Sequence, residues 1–363
     1  MSSSIGVATN RFSSLRFSLD EPRCETHFPL SSEFSAITNE LTLSELPVNE
    51  AVTPDIEMSV SRAAHNLQVD RKCIDVFVHA SPNIQAFCLP FSTERCILRL
   101  ASSLVSLLSN KELSFVIGHE LGHFIFGHAA YSHSEQLPSF ESAISEKYRE
   151  ISCDRLGLLA CGSLNDSVSS LLKSSSGLPS SLLNLNIPEY LASLNQFNSN
   201  EWAGFDGSLI SHPPLMIRCR ALLWFSGALG TSLNLSNLQA VELADINHRI
   251  ENELSKFVDI HASRYRKHLV DSYRFWFSVF LIAAHGTFTS GAQERFSLAF
   301  GSKRLNQVKE LLASSSTEDV NELIQGRLSE TARKISKDFP RSSDRLFQSI
   351  KHDVFDLSLT NNS

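Results

Sequence analysis

The chain has 363 residues, 42% of them hydrophobic, with a net charge of -7 at neutral pH, enough apolar content for a buried core and against wholesale disorder. The mild acidity and the lack of a long Lys or Arg run give no electrostatic footprint for nucleic acid. Seven scattered cysteines never form a CxxC pair, which argues against a disulfide framework and against a cysteine zinc site.

The N-terminal stretch MSSSIGVATNRFSSLRFSLDE lacks the apolar core of a secretory signal. Residues 1–50 are rich in Ser, Thr and Asn with weak periodicity, so they are expected as a loosely ordered lead-in. Residues 54–68 read as a helix, with Ile56, Val60, Ala63, Ala64 and Leu67 at helical spacing. In residues 74–90, Ile74, Val76 and Val78 alternate with Asp75, Phe77 and His79. The SPN that follows reads as a turn before a second strand, and Cys96–Leu100 offers a third.

Ser109-Asn110-Lys111-Glu112 has the pattern of a capping box and opens a strongly apolar helix running through LSFVIGHELGHFIFGHAAY. A second helix is expected over 141–161, short helical pieces over 162–200, and another helix after Pro213-Pro214. Residues 235–363 read as successive helices with breaks near 285–291 and 338–343. The most apolar run, Phe275 to Ala284, is ten residues long, too short to span a bilayer and better read as a core helix. The expected class is α+β and predominantly helical: a small sheet packed on the Ser109 helix, then an all-helical C-terminal region. A cytoplasmic protein without membrane insertion is expected.

His119-Glu120-Leu121-Gly122-His123 is an HExxH motif. On a helix, residues i and i+4 project from one face, so both imidazoles can reach one metal ion. Glu120 lies about 100° round the helix, where it reaches a metal-bound water instead of the metal. Gly122 lowers helix propensity by about 1 kcal/mol, so its place between the ligands points to tight packing there.

A catalytic zinc of this kind needs a third protein ligand and an open fourth position. The HExxHxxGxxH pattern fails, because Phe126 stands at the Gly position and the Gly and His fall one residue early, at Gly127 and His128. His128 is therefore read as a packed or solvated histidine. The remaining candidate is Glu150, one turn before Asp154 on the second helix. Glu150 would ligate the ion and Asp154 would accept the other ring N–H of a ligating histidine. The alternative makes both a solvated face with Arg149 and Arg155 as surface partners.

Three ordered segments resemble the HtpX-like, CAAX-prenyl-protease-like gluzincin family of zinc metallopeptidases. They are VFVHASPNIQAFCLP followed by HELGHFIFGH, then YREISCDRLGLLAC, then SHPPLMIRCRAL. The resemblance covers about residues 55–225. It implies a zincin-like metallopeptidase domain over 51–235; residues 236–363 lie outside the resemblance and are read from their successive helices as a helical accessory domain. It implies one Zn2+ per chain, held by His119, His123 and Glu150, with Asp154 behind them. It also brings His212 to the site, to steady an oxyanion or to cap the metal, the alternative being a helix-start histidine beside two prolines. Arg218 would form a buried ion pair or orient the site.

Relatives usually carry Asn-Ala-Phe on the edge strand that binds substrate backbone, where this chain has Gln85-Ala86-Phe87. Cys153 stands where Ala is usual. Many relatives have membrane helices beside the site; none is legible here, so membrane-embedded or prenylated substrates are not expected. FLIAAHGTFTSGAQERFSLAFG faintly resembles a TerB-like helical module. His285, Gly291 and Ala292 stand where that module would have acidic residues, so no metal is expected there.

The function expected is a zinc-dependent endopeptidase of peptide or protein substrates, with Glu120 as base and with the C-terminal helices available to a protein partner. The competing reading is a zinc-stabilised binding or scaffold protein with latent or no peptidase activity.

Overall fold

The computed structural model describes residues 4–17, 31–128, 139–183, 186–193, 207, 209–210, 212–285, 288–314 and 316–358. Helices Ser4–Phe12 (α1) and Ser31–Ser44 (α2) precede a two-residue strand, Leu46–Pro47 (β1), and Pro54–Leu67 (α3). Strands Ile74–His79 (β2), Ala86–Pro90 (β3) and Cys96–Ala101 (β4) follow, then helices Ser102–Leu107 (α4), Asn110–Phe126 (α5) and Phe140–Cys161 (α6). Next come Leu164–Ser176 (α7), Ile187–Ser193 (α8), Leu215–Leu229 (α9) and Ala240–Phe257 (α10). The chain continues through Ile260–His285 (α11), Ser290–Phe300 (α12), Ser302–Ser314 (α13), Thr317–Asp338 (α14) and Ser343–Ser358 (α15). The protein is α+β and predominantly helical.

The sheet has the order β1-β2-β4-β3. β2 and β4 run parallel, with Val76 opposite Leu98, while β3 lies antiparallel to β4, with Cys88 opposite Leu98. The parallel pairing pushes β3, intermediate in sequence, to the outside of the sheet. Both faces are covered, as parallel pairing usually demands. Ile74, Val76, Leu98 and Leu100 join α3 and α5 residues such as Val60, Leu67, Ile117 and Leu121 in one core. Phe77 and Ile97 face the other way and meet Ile37 and Leu41 of α2.

The expected lead-in is ordered over 4–17 and 31–47. Ala8, Phe12 and Leu15 recur at helical spacing and are fully buried in the first core. Burial of each large side chain is favourable by about 1.5–3 kcal/mol, which offsets the ordering of a short segment. Hydrogen bonds from Thr9 Oγ1 to the Ile125 carbonyl (3.1 Å) and from the Phe17 N–H to Ser152 Oγ (2.9 Å) fasten this segment to α5 and α6.

The chain divides into two compact units, Met1–Gln136 with Ser145–Phe205 and Ile210–Val258, and Leu137–Ile144 with Asp206–Leu209 and Asp259–Ser363. The division after Val258 lies beyond the expected boundary at 235/236. α10 belongs to the first unit because Leu243, Ile246, Ile250 and Leu254 enter its core and Arg220 of α9 pairs with Glu253 at 2.8 Å. In the second unit the apolar run of α11 is core, as its length requires. Val279 packs with Phe296, Val308, Val320, Ile324 and Leu328. Among the described residues no helix is long and apolar enough to cross a membrane.

α5 opens with the expected capping box, Glu112 N–H donating to Ser109 Oγ and the Ser109 N–H to the Glu112 carboxylate. It ends five residues earlier than its apolar run suggests, because Gly127 takes a left-handed cap (φ 69°) whose N–H satisfies carbonyls of the last turn. Its contact with α6 is made through glycines. A Cβ built on Gly118 would lie 2.2 Å from the Ala160 Cβ, one on Gly122 3.1 Å from the Cys153 Cα, and one on Gly157 2.8 Å from the Phe115 ring. Gly118→Ala should therefore destabilise the protein by roughly 1–3 kcal/mol through overpacking. Gly227→Ala on α9, where a Cβ meets nothing within 4 Å, should stabilise it by up to about 1 kcal/mol. Urea melts of the two variants measure both signs.

Candidate metal centre

The close approach of α5 and α6 sets four side chains against one another. His119 and His123 lie one turn apart on α5, and Glu150 and Asp154 one turn apart on α6. The two imidazole Nε2 atoms are 3.3 Å apart. Glu150 Oε2 is 3.4 Å from His119 Nε2, and Glu150 Oε1 is 3.4 Å from His123 Nε2. Bonds of about 2.0–2.1 Å in a tetrahedral site separate ligand atoms by roughly 3.3–3.4 Å. The two imidazole nitrogens stand at the spacing of zinc ligands, and the Glu150 carboxylate faces both, one oxygen toward each. Their chemistry fits as well, since two imidazoles and one carboxylate with an open position match a hydrolytic zinc set.

Glu150 and Asp154 do not form a solvated face. Both are buried, at 6% and 1% exposure. Arg155 is also buried, donating to the Leu15 carbonyl (2.9 Å) and to Asn247, with its guanidinium over the Phe17 and Phe225 rings. It holds the N-terminal segment against α6, and burial lowers its pKa to about 9. Arg149 pairs with Glu146 one turn back.

Asp154 bonds to His119 Nδ1 at 2.9 Å. A carboxylate there fixes the proton of His119 on Nδ1 and frees Nε2 to donate its lone pair. Arg218 of α9 grips the same carboxylate with two bonds, Nε to Oδ2 at 2.8 Å and Nη2 to Oδ1 at 2.6 Å. Burial would raise the Asp154 pKa, but the charge and hydrogen bonds of Arg218, helped by His119, hold it below the usual value. Burial likewise opposes ionisation of Glu150, yet His119 and His123 keep it well below the carboxylate range. For His119 burial acts downward, and the hydrogen bonds from Asp154 and Glu150 outweigh it and raise the pKa to about 10. Asp154 is matched by Arg218, and the charge of Glu150 faces the two histidines, where a bound cation would meet it.

Glu120, half-buried, projects from α5 toward β3 and accepts a hydrogen bond from the Cys88 backbone. Burial raises its pKa, and the neighbouring Glu150 charge adds to this, against the pull of the two histidines. His212, two residues before the α9 N-cap Pro214, reaches the same place. Its Nε2 is 3.7 Å from Glu150 Oε2, with the side chain 65% exposed. Gln85 and Ala86 are half-buried and Phe87 is exposed on β3, while the Gln85 carbonyl is taken by the Ala101 N–H at 3.0 Å.

Sequence reasoning placed His128 away from the site, because residue i+5 leaves the face shared by His119 and His123 on a continuing helix. The left-handed Gly127 reverses the chain there. The His128 N–H donates to the His123 carbonyl (2.8 Å), and His128 Nδ1 lies 3.3 Å from His123 Nδ1. Burial lowers the His128 pKa to about 2. Cys153, read as a packing change, has its Sγ 3.5 Å from His128 Nδ1. Burial and the nearby carboxylates push its thiol pKa well up. The signal available in the sequence was the glycine itself, immediately before a histidine.

A helix carrying HExxH, a carboxylate from a second helix and a sheet edge alongside define a zincin-type site. Residues 50–145 match the sequence model of Peptidase family M48, which takes in α3, the last three strands and the HExxH helix. The plastoglobule-localized metallopeptidase 48, chloroplastic, of Arabidopsis thaliana is 26% identical over 200 residues, which cover 48% of this chain and 58% of that protein. The chain thus spans less than two thirds of the length of this curated relative. No solved structure matches the chain significantly. In this segment and in its three motifs the chain is similar to the HtpX-like, CAAX-prenyl-protease-like zincins of family M48. The matched family segment ends before Glu150, Asp154, His212 and Arg218, so their placement rests on the geometry above.

Arg218→Gln should lower stability by roughly 3–5 kcal/mol, because it leaves Asp154 buried without its cation. Chemical denaturation of the variant measures this, and a midpoint equal to wild type would show that the pair contributes little.

Proposed function

We propose that the chain is a zinc metalloendopeptidase of the gluzincin type, binding one Zn2+ through His119, His123 and Glu150. The observation that carries this reading is the pair of imidazole nitrogens 3.3 Å apart, each 3.4 Å from an oxygen of the Glu150 carboxylate, with Glu120 the next residue along the same helix from His119. Zinc, when bound, polarises a scissile carbonyl and makes a water acidic near neutral pH. Glu120 accepts the proton of the attacking water and delivers it to the leaving amine, a task suited by a raised carboxylate pKa. His212 donates to the oxygen that gains negative charge as the tetrahedral centre forms. Its exposure, 65% of the side chain, leaves it room to approach a substrate. Asp154 and Arg218 hold the His119 ring in place.

The substrate is an extended peptide or protein segment. β3 is the outer strand of the described sheet, and the Cys88 backbone faces Glu120. A peptide added along Gln85, Ala86 and Phe87 would run beside the base, its main chain held by strand-type hydrogen bonds. The longer reach of Gln85, where relatives carry Asn, sets a different side-chain preference. The helices after Asp259 serve as an accessory unit open to a protein partner. A cytoplasmic setting belongs to the same proposal. The Arabidopsis relative is by its name chloroplastic and plastoglobule-localized, and fractionation of the tagged full-length chain decides between the two settings.

Two measurements test the reading together. Zinc at about 100 times its Kd should raise the unfolding free energy by about 2.7 kcal/mol, read as a rise in melting temperature that a chelator reverses. Glu120→Gln should retain that shift yet lose roughly 100- to 10,000-fold in cleavage rate against a peptide library. Cleavage by the variant at the wild-type rate would remove Glu120 as the base. Zinc-dependent stability with no turnover by wild type on any substrate would establish the scaffold reading instead.

A further inference from the structure

His123 has two ring nitrogens, and the proposed reaction uses one. Nε2 faces Glu150 and His119, while Nδ1 points away, 3.3 Å from His128 Nδ1. A neutral imidazole carries a single proton. An Nε2 lone pair offered to a cation therefore requires the proton on Nδ1. His123 is part-buried, with 22% of its side chain exposed, and an N–H turned into the protein is most stable when it has an acceptor.

His128 Nδ1 is the acceptor in reach. In the reverse arrangement His128 would donate from Nδ1, and the His123 proton would be forced onto Nε2, against the metal. The two rings thus share one choice of proton position, and only one option leaves the site able to bind. Cys153 biases that choice. Its Sγ is 3.5 Å from the same His128 Nδ1, and a thiol that keeps its proton donates to a lone pair, not to another N–H. A thiol donating there favours the tautomer in which this nitrogen is unprotonated, and its single lone pair is then shared with the His123 Nδ1–H. The backbone prevents the ring from drifting away, since Gly127 caps α5 and the His128 N–H is bound to the His123 carbonyl.

We propose that His128 is a positioning residue that holds His123 in the Nδ1–H tautomer, with its Nε2 lone pair turned to the metal. It does for His123 what Asp154 does for His119, with a neutral acceptor in place of a charged one. The inference rests on the zinc reading given above.

The test is the zinc affinity of the full-length protein, stripped of metal and titrated with Zn2+ against a competing chelator. His128→Leu removes the acceptor. His128→Asn places a carbonyl oxygen near the former Nδ1. His128→Gln keeps polarity and bulk but moves the carbonyl away. Loss of a hydrogen-bond partner behind a metal ligand weakens binding about 10- to 100-fold. The Leu and Gln variants should show that loss, and the Asn variant should bind as wild type does. Circular dichroism of each metal-free variant checks folding, and if the Leu variant is unfolded the Asn and Gln pair decides. Wild-type affinity in the Leu or Gln variant, or an Asn variant as weak as Gln, overturns the proposal while leaving the peptidase reading intact. A wild-type chain that binds no zinc overturns both.

Discussion

Helices α5 and α6 approach one another so closely that a Cβ at Gly118 or Gly157 would collide with the facing helix and one at Gly122 would crowd it. This separation governs the site. The proposed ligands come from both helices, and their donor atoms meet at 3.3–3.4 Å only because the backbones can. The cost of glycine in a helix is about 1 kcal/mol per residue. It is offset by packing, since Ile117, Leu121, Ile151, Leu156 and Leu158 around the contact are wholly buried. The N-terminal segment braces the pair from behind, through Thr9 on α5 and through Phe17 stacked on Tyr148 of α6 at 4.3 Å. What looks like a dispensable leader is thus part of the frame that sets the spacing.

A frame of this kind must also tolerate charge. Glu150, Asp154 and Arg155 are almost fully buried on one helix, and each has a defined partner. Arg218 neutralises Asp154 from α9, which ties a third helix to the site. Farther along α5, Glu112 is buried with Lys173 of α7 at 2.7 Å, while its carboxylate also completes the capping box. The start of the HExxH helix is therefore fixed as firmly as its ligand-bearing end. Such buried pairs add little net stability over apolar packing. Their effect is to specify one arrangement, which a metal site needs more than it needs stability.

The sheet contributes position. Its parallel β2–β4 pair keeps both faces covered and leaves β3 outermost, with Phe87 exposed and Cys88 turned inward toward Glu120. One short strand thereby presents backbone to a proposed substrate on one side and constrains the proposed base on the other. The second unit is built on α11 and α14 around Val279 and Ile324, and among its described residues no group of three metal-ligating side chains comes together.

Much of this was legible in the sequence, because it depends on local rules. Helical spacing and a capping box located α3 and the start of α5. Alternation located β2 and β3, and the i, i+4 spacing put the two histidines on one face and Glu150 with Asp154 on another. The ten-residue apolar run of α11, interrupted by Ser278, was too short for a membrane span. The order of strands, the burial of the N-terminal helix and the inclusion of α10 in the first unit were decided only by the tertiary structure, since they depend on contacts between residues far apart in the chain. His128 shows the difference most clearly. Periodicity carries a residue round a helix that continues, but at Gly127 the helix ends and the chain turns back. A single left-handed residue moved a histidine from the far side of the helix to the back of a proposed metal ligand, and no spacing rule contains that step.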